Sequence, residues 1–241
     1  MQVVSRVVVG VLLIVSSTVA YGKPPYFSDE KAAELAKLLP TPPAENCPET
    51  QAELDLIVRC QQACTPQEIA QIGLEGWMLP IDFQKALGSW FSEENLPQTM
   101  QLLAKVNRQA RHCTNVAKQE FHRRRPRFLD ERIKPVFIGT DEPCYPSGHA
   151  TQATALAEIL SELVPSHRDA LIERACQIGW NRIPAGLHYP SDCIAGRVLG
   201  QAVAQTLLAD ASFREELSQA HQEINRVRQE SSAMPTGPQY H

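Results

Sequence analysis

From Pro97 to about Arg124 the chain spells one long amphipathic helix. Leu103, Val106, Ala110, Cys113 and Ala117 recur at spacings of three and four, which marks a single buried stripe. Pro97 suits a first helical turn, and Pro126 ends the run. Strand signals are nearly absent: there is no sustained alternation and no Asn-Gly or Asp-Gly hairpin turn. The expected fold is therefore all-α.

Other segments agree. Ser28-Asp29-Glu30 starts a helix that runs to Leu39, and Pro40-Thr41-Pro42-Pro43 breaks it into an extended stretch. Helical spacing returns from about Glu49 to Ala63. Thr65-Pro66-Gln67-Glu68 is a capping box opening the next helix. Residues 77–80 read as a turn, 82–91 as helical and 127–145 as a loop. Ser147 caps a helix through Leu163, and Ser166 one through Ile178. Pro190 to Ala209 forms another, and Ser212 with Glu215 begins a last, charged one. Residues 231–241 read as a disordered tail.

The 241 residues are ordinary for one domain, taken as 21–230. A net charge of −4 excludes a general nucleic-acid binder, although 122–134 holds a compact basic cluster. Residues 1–20 have a charged start at Arg6, an apolar run and small residues ending at Ala20, the pattern of a secretory signal peptide. Cleavage fits after Ala20 or after Gly22. No later stretch reaches membrane-spanning length, so an exported protein without a membrane span is expected. Export gives meaning to the seven cysteines: several should pair as disulfides and at least one should stay free. No Cys or His grouping has metal-ligand spacing, and no metal is expected.

Three separated groups carry chemistry. Lys118 and Arg125 are seven apart, two turns of a helix, so both project from one face where they could neutralise a dianion; cations also simply suit a helix C-terminus. Tyr145-Pro146-Ser147-Gly148-His149 opens a helix, where backbone N–H groups form an anion site, and Gly148 permits close approach. The same serine also reads as a plain cap. Arg182 and His188 flank a Pro184/Gly186 loop. Asp192, four residues on, can accept the proton-bearing imidazole nitrogen and leave the other as nucleophile.

Lys118-(six)-Arg125-Pro126, Pro146-Ser147-Gly148-His149 and Arg182-(five)-His188-(three)-Asp192, in that order, resemble the three-part signature of the type 2 phosphatidic acid phosphatase and vanadium haloperoxidase superfamily. The chain looks most like its bacterial class A non-specific acid phosphatases, which are secreted helical proteins. One departure is Asn181 before Arg182, where the family usually has Ser.

The resemblance implies a metal-independent phosphomonoesterase that needs no cofactor and binds vanadate as a phosphate mimic. It implies that His188 attacks phosphorus, Asp192 orients it, and His149 acts as acid and then base. Lys118, Arg125, Ser147, Gly148 and Arg182 would hold the phosphate oxygens. Small phosphate monoesters are the implied partners, with a homodimer as the implied assembly and phosphoryl transfer to alcohols as a side activity. Tyr145 and Asn181 are read as supporting groups. The remaining histidines, at 112, 122, 167, 221 and 241, are read as surface or structural. The rivals are a vanadium haloperoxidase, disfavoured by chain length, and an exported phosphate-binding protein, which would not need both His149 and an Asp-oriented His188.

Overall fold

One helix, Gly148–Leu163, is almost wholly enclosed, and the others are arranged around it. Its alanine-rich sequence lets neighbours approach closely: Ala150, Ala153, Ala155 and Ala157 are all fully buried. The structure is a computed structural model that describes residues 26–74, 76–137 and 141–233. The signal peptide expected at 1–20 lies outside them.

In chain order the helices are α1 (Asp29–Ala36), α2 (Pro48–Ala63), α3 (Pro66–Leu74), α4 (Gln84–Leu87), α5 (Pro97–Phe121), α6 (Gly148–Leu163), α7 (Arg168–Trp180), α8 (Pro190–Ala209) and α9 (Ala211–Ala233). There is no strand among the described residues. Helix α6 packs against α5, α7, α8 and α9, while α1 lies along α5. A main core of Leu103, Val106, Leu156, Leu160, Leu171, Leu199 and Phe213 joins these helices. A second cluster, with Leu54, Ile57, Ile133, Ile183 and Tyr189, fixes α2 behind the loop that follows α7. No helix of the described residues is long and apolar enough to cross a membrane.

The seam between α6 and α8 depends on glycine. A Cβ on Gly196 would sit 2.6 Å from the Ser147 carbonyl oxygen and 2.8 Å from Ala150 Cβ. At Gly200 it would sit 2.5 Å from the Thr151 carbonyl oxygen. Only hydrogen fits there, so the two backbones touch. That contact sets how the start of α6 faces the start of α8.

Several boundaries differ from expectation. Helix α5 stops at Phe121, because His122 takes a left-handed conformation (φ 50°) and its N–H returns to the Lys118 carbonyl. Arg125, which the bare spacing placed on the same helical face as Lys118, lies instead on extended chain. The Cys144 N–H donates to the Arg123 carbonyl there, and Pro126 disfavours helix in the residue before it. The helix expected over 82–91 ends at Leu87, since Gly88 turns the chain at φ +96°. His167 rather than Ser166 precedes α7, after a 3-10 turn over 165–167. Asp210 rather than Ser212 caps α9, with Oδ1 accepting from Phe213 N at 2.9 Å.

Helix α9 runs through Ala233, so the tail expected from Ser231 is helical in its first three residues; the remainder lies outside the described residues. The expected disulfides are not formed, and all seven cysteines are free thiols. They serve separate packing roles: Cys113, Cys144 and Cys193 are buried, and the Cys47 sulfur caps α2 by accepting from Thr50 N at 3.4 Å.

Candidate active site

The starts of α6 and α8, the end of α5 and the loop after α7 meet at one place. Ser147 precedes α6, and its hydroxyl accepts from Ala150 N at 3.5 Å, so it does cap the helix. Its own N–H donates to the Asp192 carbonyl at 2.9 Å, which ties the start of α6 to the first turn of α8. Gly148 and His149 follow as the first two residues of α6, both half-buried. A Cβ on Gly148 would meet Thr114 Cγ2 at 3.6 Å, an ordinary contact, so protein packing does not demand glycine there.

The loop 181–189 is a set of tight turns closed by Gly186 at φ +71°. Leu187 N and His188 N both donate to the Arg182 carbonyl, at 3.1 and 3.3 Å. His188 is thereby anchored to the backbone of Arg182. The Arg182 side chain is fully buried, with Nη2 3.4 Å from the Ile72 carbonyl. Asn181 ends α7, and its carbonyl accepts from Ala185 N.

His188 Nδ1 lies 3.1 Å from Asp192 Oδ2, and both side chains are buried. The same carboxylate oxygen accepts from Tyr189 N at 3.1 Å, so Asp192 also caps α8. Burial pushes the His188 pKa down to about 4; the bond to Asp192 opposes this, and the nearby cations Arg125 and Lys118 add to it. His188 is therefore a neutral imidazole over most of the pH range. Burial alone would raise the Asp192 pKa, but His188 and Arg123 hold it below the usual carboxylate value. Lys118 is buried, and desolvation and then Arg125 lower its pKa. Glu142 faces it at 3.9 Å. Arg125 is held by backbone, with Nε donating to the Glu142 carbonyl and Nη1 to the Leu187 carbonyl, each at 3.0 Å.

Two residues near the site have no counterpart in the sequence reading. Arg123 Nη1 donates to Asp192 Oδ1 at 2.7 Å, and Nη2 donates to Glu53 of α2 at 2.8 Å. Sequence alone shows Arg123 only as one member of the basic cluster over 122–134 and does not single out Glu53. The extended backbone before Pro126 is the signal that separates the run, because alternate side chains point opposite ways. Arg123 and Arg125 point inward and are 6% exposed, while Arg124 points out to Glu45. Tyr145, read as a supporting group, instead donates from its hydroxyl to the Pro40 carbonyl at 2.5 Å and stacks edge-on with Phe121. It ties the proline-rich segment to the body.

Residues 103–215, which contain all three groups, match the PAP2 superfamily. The chain carries a PAP2 superfamily domain. Its relatives include the non-specific acid phosphatase of Salmonella typhi, 26% identical over 228 residues and covering 89% of each chain. The acid phosphatase of Zymomonas mobilis is 29% identical over 161 residues, 61% of this chain and 57% of that one. A solved structure, the first transmembrane PAP2 type phosphatidylglycerolphosphate phosphatase from Bacillus subtilis, superposes with a TM-score of 0.50 at 18% identity. It covers 73% of this chain and 90% of that one, a likeness of fold. The PAP2 match leaves out α2, so Glu53 and its bond to Arg123 come from outside the matched segment. No group of three or more His, Cys, Asp or Glu able to hold a metal occurs among the described residues.

Proposed function

We propose that the chain is an exported acid phosphatase that hydrolyses phosphate monoesters through a phosphohistidine at His188. The observation that carries this reading is the buried His188–Asp192 pair at 3.1 Å. With Nδ1 directed at a carboxylate, the lone pair of a neutral imidazole belongs to Nε2, the nitrogen left to attack phosphorus. A phosphate-binding site has no use for a carboxylate that fixes a histidine tautomer. The relatives named acid phosphatase, aligned over most of the chain, support the same reaction class.

The steps follow from the groups present. His188 Nε2 forms a bond to phosphorus as the ester P–O bond breaks, and His149 gives its proton to the departing oxygen. His149 then takes a proton from water, whose oxygen displaces Nε2 and releases orthophosphate. Lys118, Arg125 and Arg182, with the N–H groups at the start of α6, stabilise the oxygens of the transferring group. These fixed cations supply the charge that a metal would otherwise provide, so turnover is expected to be indifferent to chelator.

Hydrolysis of p-nitrophenyl phosphate by the mature protein across pH 4 to 9, beside His188→Ala, tests the proposal. Expected are an optimum on the acid side, full activity in chelator, inhibition by vanadate and loss of turnover in the variant. Turnover that persists without His188, or none at any pH, would sink it.

A further inference from the structure

We propose that Arg123 is a positioning residue which holds Asp192 from the side opposite His188 and so keeps the nucleophile unprotonated, with Glu53 limiting how strongly it does so. The inference rests on the role proposed for His188 and adds a second layer to that site.

The geometry is that of a relay with a charge at each end. Asp192 is completely buried, and each of its carboxylate oxygens has a different partner. Oδ2 faces His188 Nδ1 and Tyr189 N, while Oδ1 takes Arg123 Nη1 at 2.7 Å. The Arg123 guanidinium carbon lies over the Tyr189 ring, 3.8 Å from its centroid, a cation–π contact that adds to its hold. Nη1 also donates to Ser191 Oγ at 2.7 Å, and Nη2 reaches Glu53 Oε2 at 2.8 Å. Glu53 in turn accepts from Ser191 N at 2.6 Å and from its hydroxyl at 2.9 Å. Arg123 thus directs its guanidinium at two carboxylates and a serine hydroxyl, whereas the hydrogen bonds of Arg125 go to main-chain carbonyls.

A buried carboxylate needs compensating charge. Among the described residues, the other group at bonding distance from Asp192 that can carry a positive charge is the imidazole of His188, and its imidazolium has no lone pair for phosphorus. With Arg123 in place the carboxylate is neutralised from behind and can orient the ring without drawing a proton onto it. Glu53 works the other way by sharing the guanidinium. The charged and titratable groups facing this relay are Glu53 from α2, Lys118 from α5, Arg125 on the extended segment, the Cys144 thiol and Tyr145 before α6, and Tyr189 and Cys193 at the start of α8. Lys118 and Arg125 disfavour the imidazolium directly, so the contribution of Arg123 must be separated from theirs by substitution.

The test is the ring titration of His188, read by NMR on histidine-labelled mature protein and assigned with His188→Gln, in wild type, Arg123→Gln, Arg123→Lys and Glu53→Gln. Removing a charge at this range moves a titration by about one unit or more. The expected result is protonation of His188 at higher pH in Arg123→Gln, a smaller rise in Arg123→Lys, and a move to lower pH in Glu53→Gln. The acid limb of kcat should follow each shift while KM stays within about twofold. Loss of thermal stability is expected for any broken buried pair and does not by itself distinguish the roles. Unmoved titrations overturn the proposal, as does a KM rise with an unmoved limb, which would place Arg123 on the substrate. If Arg123→Gln does not fold, Glu53→Gln decides alone, and an unshifted or upward titration there overturns it. Absence of turnover in wild type would refute the phosphatase reading but leave the ring titration able to judge Arg123.

Discussion

Gly196→Ala sets two effects of known sign against each other. Within a helix, alanine is favoured over glycine by about 1 kcal/mol, which argues for a gain in stability. The Cβ, however, would lie 2.6 Å from a backbone carbonyl oxygen and 2.8 Å from Ala150 Cβ. Neither neighbour can rotate away, so α6 and α8 must separate by roughly 0.7 Å to restore a contact near 3.3 Å, and overpacking of this kind costs about 3 kcal/mol. The net expectation is a loss of about 2 kcal/mol, or a Tm lowered by roughly 4–8 °C for a chain of this size. Because the seam also sets Ser147 against Asp192, kcat should fall further than stability alone explains, on the order of tenfold or more. Thermal unfolding and turnover of the folded variant check this, with Gly148→Ala as the control for the unfolding measurement alone. That glycine has an open approach at 3.6 Å and should leave Tm nearly unchanged. A Gly196→Ala protein at least as stable as wild type would refute the packing argument.

Further outcomes are expected. His188 has a folded-state pKa of about 4 against an ordinary 6.5, so the unfolded chain takes up the proton first as pH falls. Stability that is full above pH 6.5 should be lost down to pH 4, on the order of 3 kcal/mol, and denaturant titrations of His188→Gln should show a flatter slope over that window. Glu223 of α9 is buried and accepts from Gln98 N, Thr99 N and Thr99 Oγ, capping α5 from a distance. Glu223→Ala should cost about 1–3 kcal/mol by leaving these donors unsatisfied, measured by denaturant midpoint. Tyr145→Phe removes the bond to Pro40 and should cost about 1 kcal/mol while speeding limited proteolysis near residues 40–44.

Much of this was written in the sequence because it is local. The 3–4 spacing of Leu103 to Ala117 foretold the buried face of α5, and Thr65 with Glu68 is a working capping box, with Thr65 N donating to Glu68 at 2.8 Å. His188 and Asp192, one turn apart across a helix start, could be paired from spacing. What escaped was set by distant contacts or by single dihedrals. The left-handed His122 moved Arg125 off the helix, which no spacing rule anticipates. Glu53 reaches Arg123 across 70 positions of chain, and its only sign in the sequence is a glutamate on an ordinary helix. Gly196 and Gly200 of α8 drew no notice in the sequence, and their role shows only with α6 pressed against them.

Gln61 of α2 bears on how such a chain can change over time. Its amide nitrogen donates to the carbonyls of Lys134 and Pro184, and its oxygen accepts from Lys134 N. All three partners are main-chain atoms, two on Lys134 and one in the loop leading to His188, so this clamp between the two segments is indifferent to the side chains at 134 and 184. Positions 134 and 184 are free to drift, whereas the glutamine that reads their backbone is not. The surroundings of His188 can thus be resurfaced while its placement stays fixed from a helix outside the matched segment.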